Sequence, residues 1–195
     1  MEARSASQFE LKTIRMPKKQ YDVVVLGGGL AGLTFGLPAL DDALPAARPV
    51  RTDQPYLIGG GVTVLPPGGS VLDVTGTRPG DDQGSALFRL GPVRYSIVVQ
   101  PFDGTLDAAA MSLRRRIMSS SGYQVTGAQL AVATLSGIAG LQGGYTAPGQ
   151  GGRYVVFVVD ERTIEVTVSG ADLDLGRRLP AIDASTRTLR YTSRP

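Results

Sequence analysis

Two hydrophobic textures divide the chain. Val23 to Leu40 is a run of 18 residues without a charge, whereas from Tyr56 onward apolar positions come in short runs punctuated by Gly, Pro and Asp. The second texture predicts strands. YLIGGGVTVLPPG and SVLDVTGT read as two strands around a Pro-Pro-Gly-Gly turn at 66–69, and RPGDDQG (78–84) as a loop. SALFRL (85–90) and VRYSIVVQ (93–100) read as a hairpin through Gly91-Pro92. YQVTGAQ, LAVATLSG and AGLQGGYTA, within 123–147, read as short strands broken by glycines, and PGQGG (148–152) as a turn. The clearest pair is RYVVFVVD (153–160) and RTIEVTVS (162–169), a hairpin through Asp160–Arg162. Its first strand is apolar on both faces, which suits a central position. Its second alternates, with Ile164, Val166 and Val168 opposite Glu165 and Thr167. TLRYT (188–192) predicts a last strand.

Two segments switch to helical spacing. Between Thr105 and Ser119, Leu106, Ala109/Ala110, Leu113 and Ile117 share one face. Thr105 suits the N-cap, Asp107 the first turn, Arg114–Arg116 the last turns and Gly122 a stop. A second helix is expected within 171–186, introduced by a capping-box-like Ser169-x-x-Asp172 and either kinked by Pro180 or beginning there. The resulting order of elements predicts an α+β domain over 56–195, an antiparallel sheet with two helices packed on it. Ahead of it lie a basic tail (1–20), an apolar segment (21–40) and a Pro/Ala linker (41–55).

Composition narrows the chemistry. At 195 residues and 42% hydrophobic, the chain can bury a core. It contains neither His nor Cys, which removes Ser-His-Asp and Cys-His catalysis, disulfides, zinc–thiolate and iron–sulfur sites. The net charge of +3 comes without a dense Lys/Arg run interleaved with aromatics, so no nucleic-acid partner is expected. Catalysis is not expected either.

The uncharged run admits two readings. Five basic residues (Arg4, Lys12, Arg15, Lys18, Lys19) precede it and Asp41-Asp42 follow it. A span of about 17–25 apolar residues crosses a bilayer, and the basic flank then stays inside. A membrane anchor through residues 23–40 would leave the N-terminus cytoplasmic and residues 55–195 outside. Alternatively, Tyr21–Leu26 is strand-like and Gly27-Gly28-Gly29-Leu30-Ala31-Gly32 fits G-x-G-x-x-G, with glycines that let backbone N–H groups approach a pyrophosphate. Such a fold needs an acidic residue about 20 positions further on; Asp53 falls there, in a stretch without strand character.

Each reading has a family behind it. Residues 16–36, MPKKQYDVVVLGGGLAGLTFG, resemble the N-terminal FAD-binding motif of FAD-dependent oxidoreductases. That resemblance implies FAD as cofactor, held at Gly27, Gly29 and Gly32, in a cytoplasmic, truncated or fused enzyme. Residues 55–195 resemble, in GVTVLPPGG, YQVTG, GGRYVVFVVDERTIEVTVSG and RLPAIDASTRTLRY, the extracytoplasmic PsbP-like domain of uncharacterised actinobacterial membrane-anchored proteins. This second resemblance implies a non-catalytic binding or assembly domain, single-pass, with no cofactor and with a protein partner or a small ligand in a sheet groove.

Other clusters are weaker candidates. Arg114-Arg115-Arg116 suits phosphate or an acidic partner, or simply a solvated helix end. Asp73, Asp81 and Asp82 lack the D-x-D-x-D-G spacing of a calcium loop. Asp160 and Glu161, adjacent, are explained by a hairpin turn. Gly143-Gly144-Tyr145 through Gly149-Gln150-Gly151-Gly152 is expected to form a glycine-rich loop lining a groove, and Tyr95, Tyr145 and Tyr154 are expected in the sheet.

Overall fold

In the computed structural model, which describes residues 46–193, β5 (Gly84–Leu90) and β6 (Val93–Pro101) form the expected hairpin, closed by Gly91 at φ +63°. The other predicted hairpin, β9 (Gln150–Val159) and β10 (Arg162–Gly170), turns at Asp160 and Glu161 with φ of 46° and 57°. Paired left-handed residues give a two-residue turn the twist that adjoining strands need. β6 pairs with β10, and β9 continues through β8 (Ala139–Ala147) to β7 (Gln124–Ala133). On the far side β5 pairs with β4 (Val71–Asp73), and β4 with β1 (Ala47–Pro49). The eight-stranded order is β1-β4-β5-β6-β10-β9-β8-β7, antiparallel throughout. A small sheet, β11-β3-β2, joins β11 (Arg190–Tyr191), β3 (Val62–Val64) and β2 (Tyr56–Gly59).

The α+β class therefore holds, with more sheet than two helices laid on one surface would suggest. The helices α1 (Leu106–Met118) and α2 (Asp172–Arg187) lie on opposite faces. β9 shows why. Tyr154 and Val156 pack under α1 with Ala109, Ala110, Leu113 and Ile117, while Val155 and Phe157 join the core beneath α2 and the small sheet. A strand sandwiched between two layers must be apolar on both sides. Burying each of these larger side chains is worth about 1.5–3 kcal/mol.

Both helix ends follow local chemistry, one as expected. Thr105 caps α1, its side chain accepting from the Ala108 N–H at 3.2 Å. At α2 the expected capping box does not form: β10 runs on to Gly170, so Ser169 is a strand residue, and the cap position, Ala171, has no side-chain bond to offer. Asp172 and Asp174 in the first turn favour the helix dipole instead. Pro180 lies inside the helix. Hydroxyls hold its C-terminal end: Ser185 Oγ donates to the Leu65 carbonyl (2.6 Å), the Leu65 N–H donates to Thr188 Oγ1 (2.9 Å), and Tyr95 OH meets Thr186 Oγ1 at 3.1 Å. Such a satisfied buried network fixes one register of helix on sheet.

Four further expectations change. The segment 41–55 is not all linker, since β1 within it pairs with β4. YLIGGGVTV is two strands rather than one, because Gly60 and Gly61 take φ of 56° and 76° and turn the chain back. YQVTGAQ and LAVATLSG are one strand, β7, interrupted by a bulge between Thr126 and Leu130. The 148–152 turn is confined to Pro148 and Gly149.

Candidate functional site

Among the described residues two ion pairs join the sheet to its helices: Arg153 on β9 with Asp183 on α2, and Glu165 on β10 with Arg116 on α1, the more buried carboxylate of the two. Alternation along β10 places Glu165 away from Ile164 and Val166, but α1 covers that second face, and Glu165 is buried. Arg116 reaches down from the helix to pair with its carboxylate, and Gln100 Nε2 on β6 donates to it at 3.3 Å. Burial pushes the Glu165 carboxyl above its ordinary value, outweighing the pull of Arg116 and the bond from Gln100. Thr163, two residues earlier on the same face, is buried with its Oγ1 lacking a hydrogen-bond partner among the described residues. The cluster fastens α1 to the sheet. Among the described residues the carboxylate's bonded partners are these two donors.

Gly27, Gly29 and Gly32 lie outside the described residues, as does the span 23–40. The sheet ladders among the described residues are antiparallel, so they contain no parallel βαβ unit to extend a dinucleotide turn. Arg116 is engaged as above, and Arg115 sits in the last turn of α1, where a cation suits the dipole. Asp73 is bonded within its own turn. Burial would raise its carboxyl, but bonds from the Thr75 side chain and the Gly76 and Thr75 N–H groups hold it below the ordinary range. Among the described residues no three carboxylates cluster as a metal would need. Asp160 accepts a bond from Tyr191 OH, and Arg162 stacks on the Tyr191 ring 5.8 Å from its centroid.

The expected glycine-rich groove is a correction. Gly140, Gly143 and Gly144 lie in β8, and Gly151 and Gly152 in β9. Three sit opposite aromatic residues in the ladder: Gly140 faces Phe157, Gly143 faces Tyr154 and Gly152 faces Tyr145. A side chain at any of the three would enter the ring opposite. The tyrosines are sheet residues, as expected. Tyr145 OH donates to the Val168 carbonyl at 3.0 Å, and burial pushes the Tyr95 and Tyr145 hydroxyls up to about 12.

What the sheet presents outward is its β7 edge. Among the described residues β7 pairs with β8 alone, and only Val125, Gln129 and Val132 of its ten residues are even half-buried. No charged residue occurs between Arg116 and Arg153. Leu130 is 61% exposed and Leu135, just past the strand, 73%. Strand-by-strand reading misses this edge because sequence does not say which strand is last; the long charge-free run is the signal that was available.

No family model matches the chain, and no curated protein matches it. Among solved structures it is similar to cyanobacterial PsbP (CyanoP) from Synechocystis sp. PCC 6803, at 16% identity and a TM-score of 0.49, over 68% of this chain and 88% of that one. It is also similar to PA94 from Pseudomonas aeruginosa, described as a protein of unknown function and putative regulator, at 21% identity and a TM-score of 0.45, over 59% of this chain and 86% of that one.

Proposed function

We propose that this is a non-catalytic assembly protein, anchored in a cell membrane through residues 23–40 with the 55–195 domain, a PsbP-like sandwich, outside, and that it engages a protein partner through β7. The observation that carries the assembly role is the exposed, charge-free β7 edge. An unpaired edge strand offers a row of backbone donors and acceptors to another chain. The anchor is supported by the basic flank and the uncharged span.

Each half has its own test. Expressed in a bacterium, the full-length protein should sediment with membranes and leave them only in detergent; protein that stays soluble without detergent overturns the anchor. In mild detergent it should run on native electrophoresis as a complex larger than the monomer. Leu130→Lys with Ala133→Lys, both at exposed positions, should reduce it to the monomer, because charge on an edge blunts pairing. The two changes should leave stability within about 1 kcal/mol, as surface substitutions do. A wild-type monomer, or a complex indifferent to the lysines, overturns assembly through β7.

A further inference from the structure

We infer that the partner at β7 is a second copy of this chain, joined edge to edge about a two-fold axis so that the two eight-stranded sheets continue as one. This rests on the assembly reading above. The two ends of the main sheet differ in kind. β1 has three residues, and two of them are Arg48 and Pro49, a short charged edge that cannot donate at its proline. β7 has ten residues with neither charge nor proline. The blunting device it carries is the bulge between Thr126 and Leu130, which leaves Leu130–Ala133 in regular register.

The absence of charge says which partner fits. Across a two-fold axis a surface meets itself, so a charged side chain near the axis would face its own copy and repel it. An edge made for a different protein has no such restriction and gains specificity from opposite charges. Here the neutrality extends beyond β7 through β8 to Gly152, so the neighbouring strand and its turns bring no charge either. Exposed Leu130 and Leu135 would be covered by the copy. A two-fold axis perpendicular to the strand at this edge produces antiparallel pairing, the sense of every neighbouring ladder in the sheet. Two copies tethered in one membrane can share an axis along its normal, and the tether raises their effective concentration.

The chain has no cysteine, so single cysteines report position without a background. Leu130→Cys, Ala131→Cys and Val132→Cys would be placed in the full-length protein in membranes and treated with a short bis-maleimide. A covalent homodimer is expected at one or more of them. It should be lost at Asp82→Cys and Leu173→Cys, which are exposed elsewhere, and lost again when Ala133→Lys is added to the best crosslinking variant. Crosslinking as strong at Asp82 or Leu173 would mean association through the membrane segment alone and overturns the inference. So does an absence of β7 crosslinks. If the native complex still dissolves with the lysine pair while no β7 crosslink forms, the partner is a different protein and the assembly reading stands. If there is no complex, both fall.

Discussion

Arg116→Ala is expected to destabilise the fold by about 2–3 kcal/mol at neutral pH, and to do so less as the pH falls. The reason lies one layer down. Glu165 is held between β10 and α1 at 6% exposure, with Arg116 and Gln100 as its bonded partners. Removing one partner of a buried pair costs about 3–5 kcal/mol because a charge is left uncompensated. Arg116 itself is 27% exposed, so water screens part of the pair and brings the cost below the middle of that range, to about 2–3 kcal/mol. Glu165→Gln takes away the charge that needs compensating, leaves Arg116 free to face solvent, and should cost less than about 1 kcal/mol. The pH dependence has a definite sign. The folded carboxyl titrates above its ordinary value of 4.5, so the folded state holds the proton more tightly than the unfolded chain. Its favourable contribution is present below 4.5 and is lost as pH rises through the folded value. Without Arg116 the carboxyl climbs further, so the deficit of Arg116→Ala should shrink as the pH is lowered through that raised value. Urea denaturation of wild type and both variants across this range would measure it. A deficit that does not change with pH, or an Arg116→Ala variant as stable as wild type, would show that solvent rather than Arg116 compensates the carboxylate.

Glu165 also shows where sequence reading stops. Period-two alternation separates the two faces of β10 correctly, but whether the second face meets water depends on what lies over it. α1 arrives there only because β9, β8 and β7 extend the sheet beneath it, a fact of strand order that lies far away in sequence. What depends on neighbouring residues was legible: the Thr105 cap, the apolar face of α1, and the β5–β6 and β9–β10 hairpins. The expectation that 153–160 is central also holds, because a strand apolar on both faces must be covered on both. What depends on distant partners was not legible. Pro49 and Arg48 look like linker because nothing near them in sequence shows the β4 edge they cap. Gly127 looks like the end of a strand because a bulge and a break share the same residue.

Glycines in β8 and β9 carry the second large effect. Gly152→Ala is expected to cost about 3 kcal/mol, a full overpacking penalty, although it adds one methyl group and glycine is a poor strand residue. The new Cβ would lie within the Tyr145 ring opposite it. That ring is not free to yield. It stacks on Tyr123 with centroids 5.9 Å apart, packs in the cluster under α1, and is tethered through its hydroxyl to Val168 on β10. Tyr145→Ala removes the ring and the tether together and should cost about 3–5 kcal/mol, as large-to-small core changes do. The two changes then address one contact from both sides, so their combination should fall short of the sum by at least about 1 kcal/mol. Thermal and urea unfolding of the two single variants and the double would close the cycle. Strict additivity would mean that ring and glycine do not touch, and the ring-over-glycine account of Gly143 with Tyr154 and Gly140 with Phe157 would fall with it. If the coupling is found, the glycine richness that reads as loop marks instead where the sheet makes room for its largest side chains.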